Sequence, residues 1–120
     1  MKILHILVAA MLLVTYGLFA DAKDTAKAEI GRQFDLLKKG DVKALRARFT
    51  DRQKERVTAD KVKKAQKEIK QYTLDDLVES VIEGEYQGQK TMKIKMKNGR
   101  TLTTLVEENG QWYADTIWFR

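Results

Sequence analysis

The spacing of apolar residues changes once along this chain, near Tyr72, and that change limits the fold more than any other feature. Before it, Ala26, Ile30, Phe34 and Leu37 recur at helical spacing, and Gly40 stands where a helix-ending glycine would. Asp41 is placed to cap a second helix with Val42, Leu45 and Phe49 on one face. Thr50 opens a short helical turn over 51–57, and Thr58 caps a further helix whose apolar stripe is Val62, Ala65, Ile69 and Tyr72. After Thr73 the alternation has period two, which predicts a strand from about Leu77 to Glu85 and a turn from Tyr86 to Gln89. Two Asn-Gly pairs then set hairpins. A two-residue turn at Asn98-Gly99 places Ile94 opposite Thr103 and Met92 opposite Leu105; one at Asn109-Gly110 places Leu105 opposite Ala114 and Thr101 opposite Trp118. The predicted class is α+β: N-terminal helices packed on a curved, cone-like, four-stranded antiparallel meander.

Strand alternation sorts the side chains of that meander onto two faces. Met92, Ile94, Met96, Leu105, Trp112 and Trp118 fall on one, free of Lys and Asp, which is the face for the helices to cover, with Phe34 reaching it from the first helix. Such a methionine- and aromatic-lined surface is either a plain core or the wall of a pocket for a small apolar ligand. On the opposite face, Lys93, Lys95, Lys97 and Asp115 flank a patch of Leu102, Val106, Tyr113, Ile117 and Phe119. Left in water that patch would forfeit apolar burial, so a homodimer through the last two strands is expected, or cover from within the chain.

The first segment, MKILHILVAAMLLVTYGLFADA, joins Lys2 to an apolar stretch and ends on Ala20-Asp21-Ala22, the small-x-small pattern of a signal-peptidase site. Residues 1–22 therefore read as a secretory signal peptide, and 23–120 as one exported domain, periplasmic or extracellular and not membrane-spanning after cleavage. The chain has no Cys, which excludes disulfides, thiolate chemistry and lipid attachment at a lipobox. Its one His, His5, lies in the signal segment, so residues 23–120 offer neither His nor Cys for zinc, copper or haem, or for most nucleophile–base pairs. No catalytic residue, metal site or cofactor is expected from this inventory.

Residues 23–72 carry 16 Lys/Arg against 8 Asp/Glu, whereas residues 73–120 carry 6 against 8, so the net +6 of the chain belongs to its helical half. The segment TADKVKKAQKEIKQY sets Lys61, Lys63, Lys64, Lys67 and Lys70 opposite its apolar stripe. A basic amphipathic helix of this kind is either a solvated surface or a contact for an anionic envelope component such as lipid or lipopolysaccharide phosphates. Nucleic acid is not expected, because no stacking aromatics alternate with the lysines.

Gly40-Asp41 opening the second helix, Phe49 eight residues on, and Gly110-x-Trp112 leading the closing strand together resemble the secreted branch of the nuclear transport factor 2-like superfamily. The likeness is to its lumazine-binding-like and ketosteroid-isomerase-like domains, and it spans residues 24–119. It implies a curved sheet wrapping a pocket closed by helices, often dimeric through the outer sheet face. Isomerases and dehydratases of that superfamily use a carboxylate or His projecting into the cone; Asp115 is expected on the outer face here, so no catalytic residue carries over. The leading expectation is a non-catalytic exported binding or accessory domain. An isomerase or hydro-lyase of the same fold, and an envelope interaction protein working through its basic helix, stand as alternatives. Export predicts that the mature protein begins at Lys23, and intact-mass measurement of secreted material should find that N-terminus rather than Met1.

Overall fold

The computed structural model describes residues 22–119, so the predicted signal segment lies, except for Ala22, outside the described residues. Helix α1 (Ala22–Lys39) buries Ala26, Ile30, Phe34 and Leu37 as their spacing predicts, and it also buries Glu29 and Gln33. It ends at Gly40, whose φ of 73° lets its N–H reach Leu37 O (3.0 Å) while Asp41 N–H reaches Leu36 O (3.1 Å). These paired bonds close the last turn in a left-handed glycine cap. Asp41 then caps α2 (Val42–Arg46) by accepting from Ala44 N–H. A one-turn 3₁₀ helix (Lys54–Arg56) follows, and Thr58 caps α3 (Ala59–Ile69). Because α3 stops at Ile69, Tyr72 does not continue its stripe and is 41% exposed.

One element was not expected from the sequence: α4 (Leu74–Leu77), a single turn where alternation suggests the start of a strand. Its cause is local. Thr73 and Asp76 form a reciprocal capping box, the Thr73 hydroxyl accepting from Asp76 N–H and the Asp76 carboxylate from Thr73 N–H at 2.8 Å. The backbone bond from Thr73 holds Asp76 below the usual carboxylate range.

Strands β1 (Val78–Tyr86), β2 (Gln89–Met96), β3 (Thr101–Glu108) and β4 (Gln111–Ala114) form the antiparallel meander in the order 1-2-3-4, and the sheet stays open. Gln87-Gly88 and Asn109-Gly110 both have positive φ at each position, the two-residue turn that suits twisted strands. The register across the second is as predicted, with Leu105 opposite Ala114 and Glu107 opposite Trp112. Asn98-Gly99 behaves differently. Only Gly99 is left-handed (φ 87°), because the Asn98 carboxamide oxygen accepts from Arg100 N–H at 2.9 Å in a side-chain turn. The loop has three residues and a bulge, so Ile94 still faces Thr103 but Lys95 pairs with Thr101.

The chain end departs from the expected alternation. Strand β4 stops at Ala114 because residues 115–116 bend, and Thr116 instead bonds its hydroxyl to Thr103 at 2.8 Å. Thr101 therefore does not pair with Trp118. Phe119, expected on the outer face, turns into the core, where it meets Phe49 edge-on at 5.9 Å and Trp118 at 5.2 Å. Phe49 in turn leaves the expected helix for a parallel bridge to Ala114, with Ala114 N–H on Arg48 O and Thr50 N–H on Ala114 O, each 3.0 Å. The backbone N–H and O of Ala114, which face away from β3, are thereby satisfied.

A buried ion pair lies where α1, residue 48 and the chain end meet. Glu29 accepts two bonds from the Arg48 guanidinium and one from Gln33 Nε2, which also donates to Arg48 O; Gln33 Oε1 accepts from Trp118 Nε1 at 2.9 Å. The hydrogen bond to Glu29 raises the pKa of Arg48. Removing one partner strands the other charge. Arg48→Ala, which leaves the buried Glu29 carboxylate without this cation, should lower stability in urea unfolding by about 3–5 kcal/mol, and combining Glu29→Leu with Arg48→Leu should recover most of that loss.

Candidate functional site

The seven residues expected to face an apolar ligand are placed as follows. Met92, Ile94, Leu105 and Trp112 lie in the main core, and the Trp112 indole N–H donates to Thr25 Oγ1 at 3.1 Å. Phe34 is buried and stacks on Trp118 at 6.3 Å, with Lys38 Nζ over the Phe34 ring at 4.9 Å from its centre. Met96 is half-buried at the end of β2. The inner face is therefore occupied by its own side chains, with both indole N–H groups already bonded.

Of the five residues expected on an outer interface, Phe119 and Val106 are buried within the single chain, and Leu102, Tyr113 and Ile117 are half-buried. The apolar patch is smaller than alternation suggests, because the chain end bends and the 50–53 segment crosses beside it. Asp115 marks that crossing: its carboxylate accepts from the Thr50 hydroxyl at 2.9 Å and pairs with the Arg52 guanidinium, raising the pKa of Arg52. The Tyr113 hydroxyl donates to Gln111 Oε1 at 3.1 Å. Among the described residues no three His, Cys, Asp or Glu side chains come together as a metal-ligand set.

The same bend that removes Phe119 from the outer face opens a cleft. It has a volume of about 550 Å³ and lies between the 3₁₀ turn, the first turns of α3 and the terminal segment. Gln53, Arg56, Asp60, Lys61 and Lys64 form its polar walls, and Ile117 and Phe119 give it an apolar side. Three ties fix this geometry. The Arg46 guanidinium holds Val57 O with two bonds of 2.9 and 3.1 Å, Thr58 caps α3 through Lys61 N–H, and Thr103 anchors Thr116. Burial of Val62 and Ala65 then sets the rotation of α3, so that Lys61 and Lys64, one turn apart, share the cleft.

The other lysines of α3, and Lys70 at its C-cap, lie away from that cleft. Lys67 and Lys70 line a smaller cleft of about 240 Å³ with Lys38 and Gln66, where Gln66 Nε2 donates to Lys38 O at 2.7 Å, and Lys63 is exposed. None of the five lysines belongs to an ion pair among the described residues, nor does Arg56. Sequence reasoning found the five lysines but missed Arg56 and Gln53, which carry no periodic signal. The Gln53 side chain has one further property: its Oε1 is buried and has no hydrogen-bond partner among the described residues.

An unpaired buried acceptor costs free energy in the ligand-free protein. Gln53→Leu, of similar size, should leave the urea midpoint unchanged or raise stability by about 1 kcal/mol; a loss of several kcal/mol would show that Gln53 is a structural bond.

No family model, curated protein or solved structure matches the chain.

Proposed function

We propose that this protein is an exported, non-catalytic binding domain of the nuclear transport factor 2-like kind that attaches to an anionic envelope surface through the lysine face of α3. The observation that carries this reading is the pairing state of that helix: four lysines within its eleven residues and Lys70 at its C-cap, all outside the ion pairs of the described residues and away from the stripe anchored by Val62 and Ala65. Among the described residues Glu29, Asp51, Asp75 and Asp115 are engaged in ion pairs by cations other than these lysines. Juxtamembrane lysines gain roughly 1 kcal/mol each near an anionic lipid surface. Among the described residues no helix is long and apolar enough to cross a membrane.

Two features favour binding at this face over the alternatives. An apolar ligand on the inner sheet face would have to displace Trp112 or Trp118 from packed, hydrogen-bonded positions. An isomerase or hydro-lyase would need an inward carboxylate. Glu29 supplies one that the sequence reading overlooked, but Arg48 and Gln33 occupy its oxygens, leaving it poorly placed to take a substrate proton.

Flotation with phosphatidylglycerol vesicles at low salt tests the proposal. Binding should fall steeply between 0.1 and 0.5 M salt, and Lys63→Gln, Lys67→Gln and Lys70→Gln together should weaken it roughly 100-fold, at about 1 kcal/mol per charge. Equal partitioning onto neutral phosphatidylcholine, or no effect of the triple substitution in a protein with an unchanged melting curve, would refute it.

A further inference from the structure

The cleft beside α3 differs from the rest of the basic face in being chemically mixed. Its volume of about 550 Å³ falls within the range of small-ligand sites, about 300–1,000 Å³. Three cations, Arg56, Lys61 and Lys64, oppose one carboxylate, Asp60, so the walls have a net charge suited to a singly or doubly charged anion. Arg56 adds the planar fork that binds a phosphate with two parallel bonds. The opposite side is Ile117 and Phe119, against which a chain of methylenes can lie. Between these parts stands Gln53, whose buried Oε1 lacks a donor among the described residues.

We infer that this cleft binds one glycerophospholipid head group together with the start of its acyl chain: the phosphate on Arg56, Lys61 and Lys64, a glycerol hydroxyl donating to Gln53 Oε1 once that side chain rotates from its buried position into the cleft, and the first methylenes on Ile117 and Phe119. Each part of the site asks for something different. An inorganic anion would satisfy the cations and leave Gln53 and the apolar wall unused. A fatty acid would reach the wall and the cations but bring no donor. A phosphoglycerol carries the charge, the hydroxyl and the chain in one molecule. The inference rests on the proposal that the basic face meets an anionic envelope, and adds that one lipid is held specifically while Lys63, Lys67 and Lys70 provide the non-specific attraction.

Titration calorimetry with 12-carbon lysophosphatidylglycerol below its micellar concentration, alongside dodecyl phosphate and glycerol 3-phosphate, separates the contributions. Saturable one-to-one binding is expected for the lysolipid, with dodecyl phosphate weaker and glycerol 3-phosphate weaker by at least tenfold. Arg56→Glu, an exposed position, should reduce lysolipid affinity by more than tenfold. Gln53→Leu should reduce lysolipid affinity roughly fivefold, the size of one neutral hydrogen bond, while leaving dodecyl phosphate unchanged. Lysolipid binding no tighter than that of glycerol 3-phosphate would overturn the inference, as would an Arg56→Glu protein that binds normally, or an acidic tripeptide that competes as well as the lipid. The triple lysine variant keeps the two proposals apart. If it loses vesicle flotation and no lysolipid binding is seen in any protein, the cleft assignment alone fails; if wild type neither floats nor binds lysolipid, both fail.

Discussion

The bidentate pair of Glu29 and Arg48 is the contact on which the assembly of this domain turns. Glu29 sits in the middle of the buried face of α1, where a carboxylate without a cation would cost free energy. Arg48 can reach it only if the chain after α2 runs back across the core. That path brings the backbone of residues 48–50 alongside β4, where it bonds both the N–H and the O of Ala114. One electrostatic requirement therefore fixes how the helical half and the sheet are joined. Gln33 extends the network to the indole of Trp118 and so fixes the chain end as well. Such a network adds little net stability over an apolar core of equal volume, but it leaves few alternative ways to dock the layers.

Once residues 48–50 are held beside β4, the following segment has two tasks. Thr50 and Arg52 close over Asp115 on the outer side, and the 3₁₀ turn carries Gln53 and Arg56 toward α3. The terminal segment, bent by the Thr103–Thr116 bond, sends Phe119 inward and leaves Ile117 at the cleft. The cleft is thus made by three segments distant in sequence, each positioned by a hydrogen bond rather than by packing alone. A filled inner face and a mixed, charged cleft outside it divide stability from binding. The core is free to be tightly packed, and ligand contacts can vary without opening it.

Much of the architecture was legible because it follows from local rules. The glycine cap at Gly40, the Asp41 and Thr58 caps, the turn at Asn109-Gly110 and the β3–β4 register all depend on residues within a few positions of one another. The errors arose where a local competitor or a distant partner intervened. Asn98 bonded its own neighbour's N–H and changed a two-residue turn into a bulged one. Thr73 and Asp76 closed a helical turn inside a stretch that alternates like a strand. Glu29 could have been placed inward from its position between Ala26 and Ile30 on the apolar stripe, but a charged residue is ordinarily assigned to solvent unless its partner is known.

The sequence by itself determined the two-layer α+β plan, the absence of His and Cys from residues 23–120, and the five-lysine face of one helix, because periodicity, composition and capping are properties of short stretches. Tertiary structure alone decided that Phe119 points inward, that Arg48 neutralises Glu29 nineteen residues away, and that Gln53, Arg56, Lys61 and Ile117 share one cleft. These are consequences of which backbone groups and charges find partners across the core. A pattern of apolar spacing carries no information about that choice, since it records which side of an element is buried and not what it is buried against.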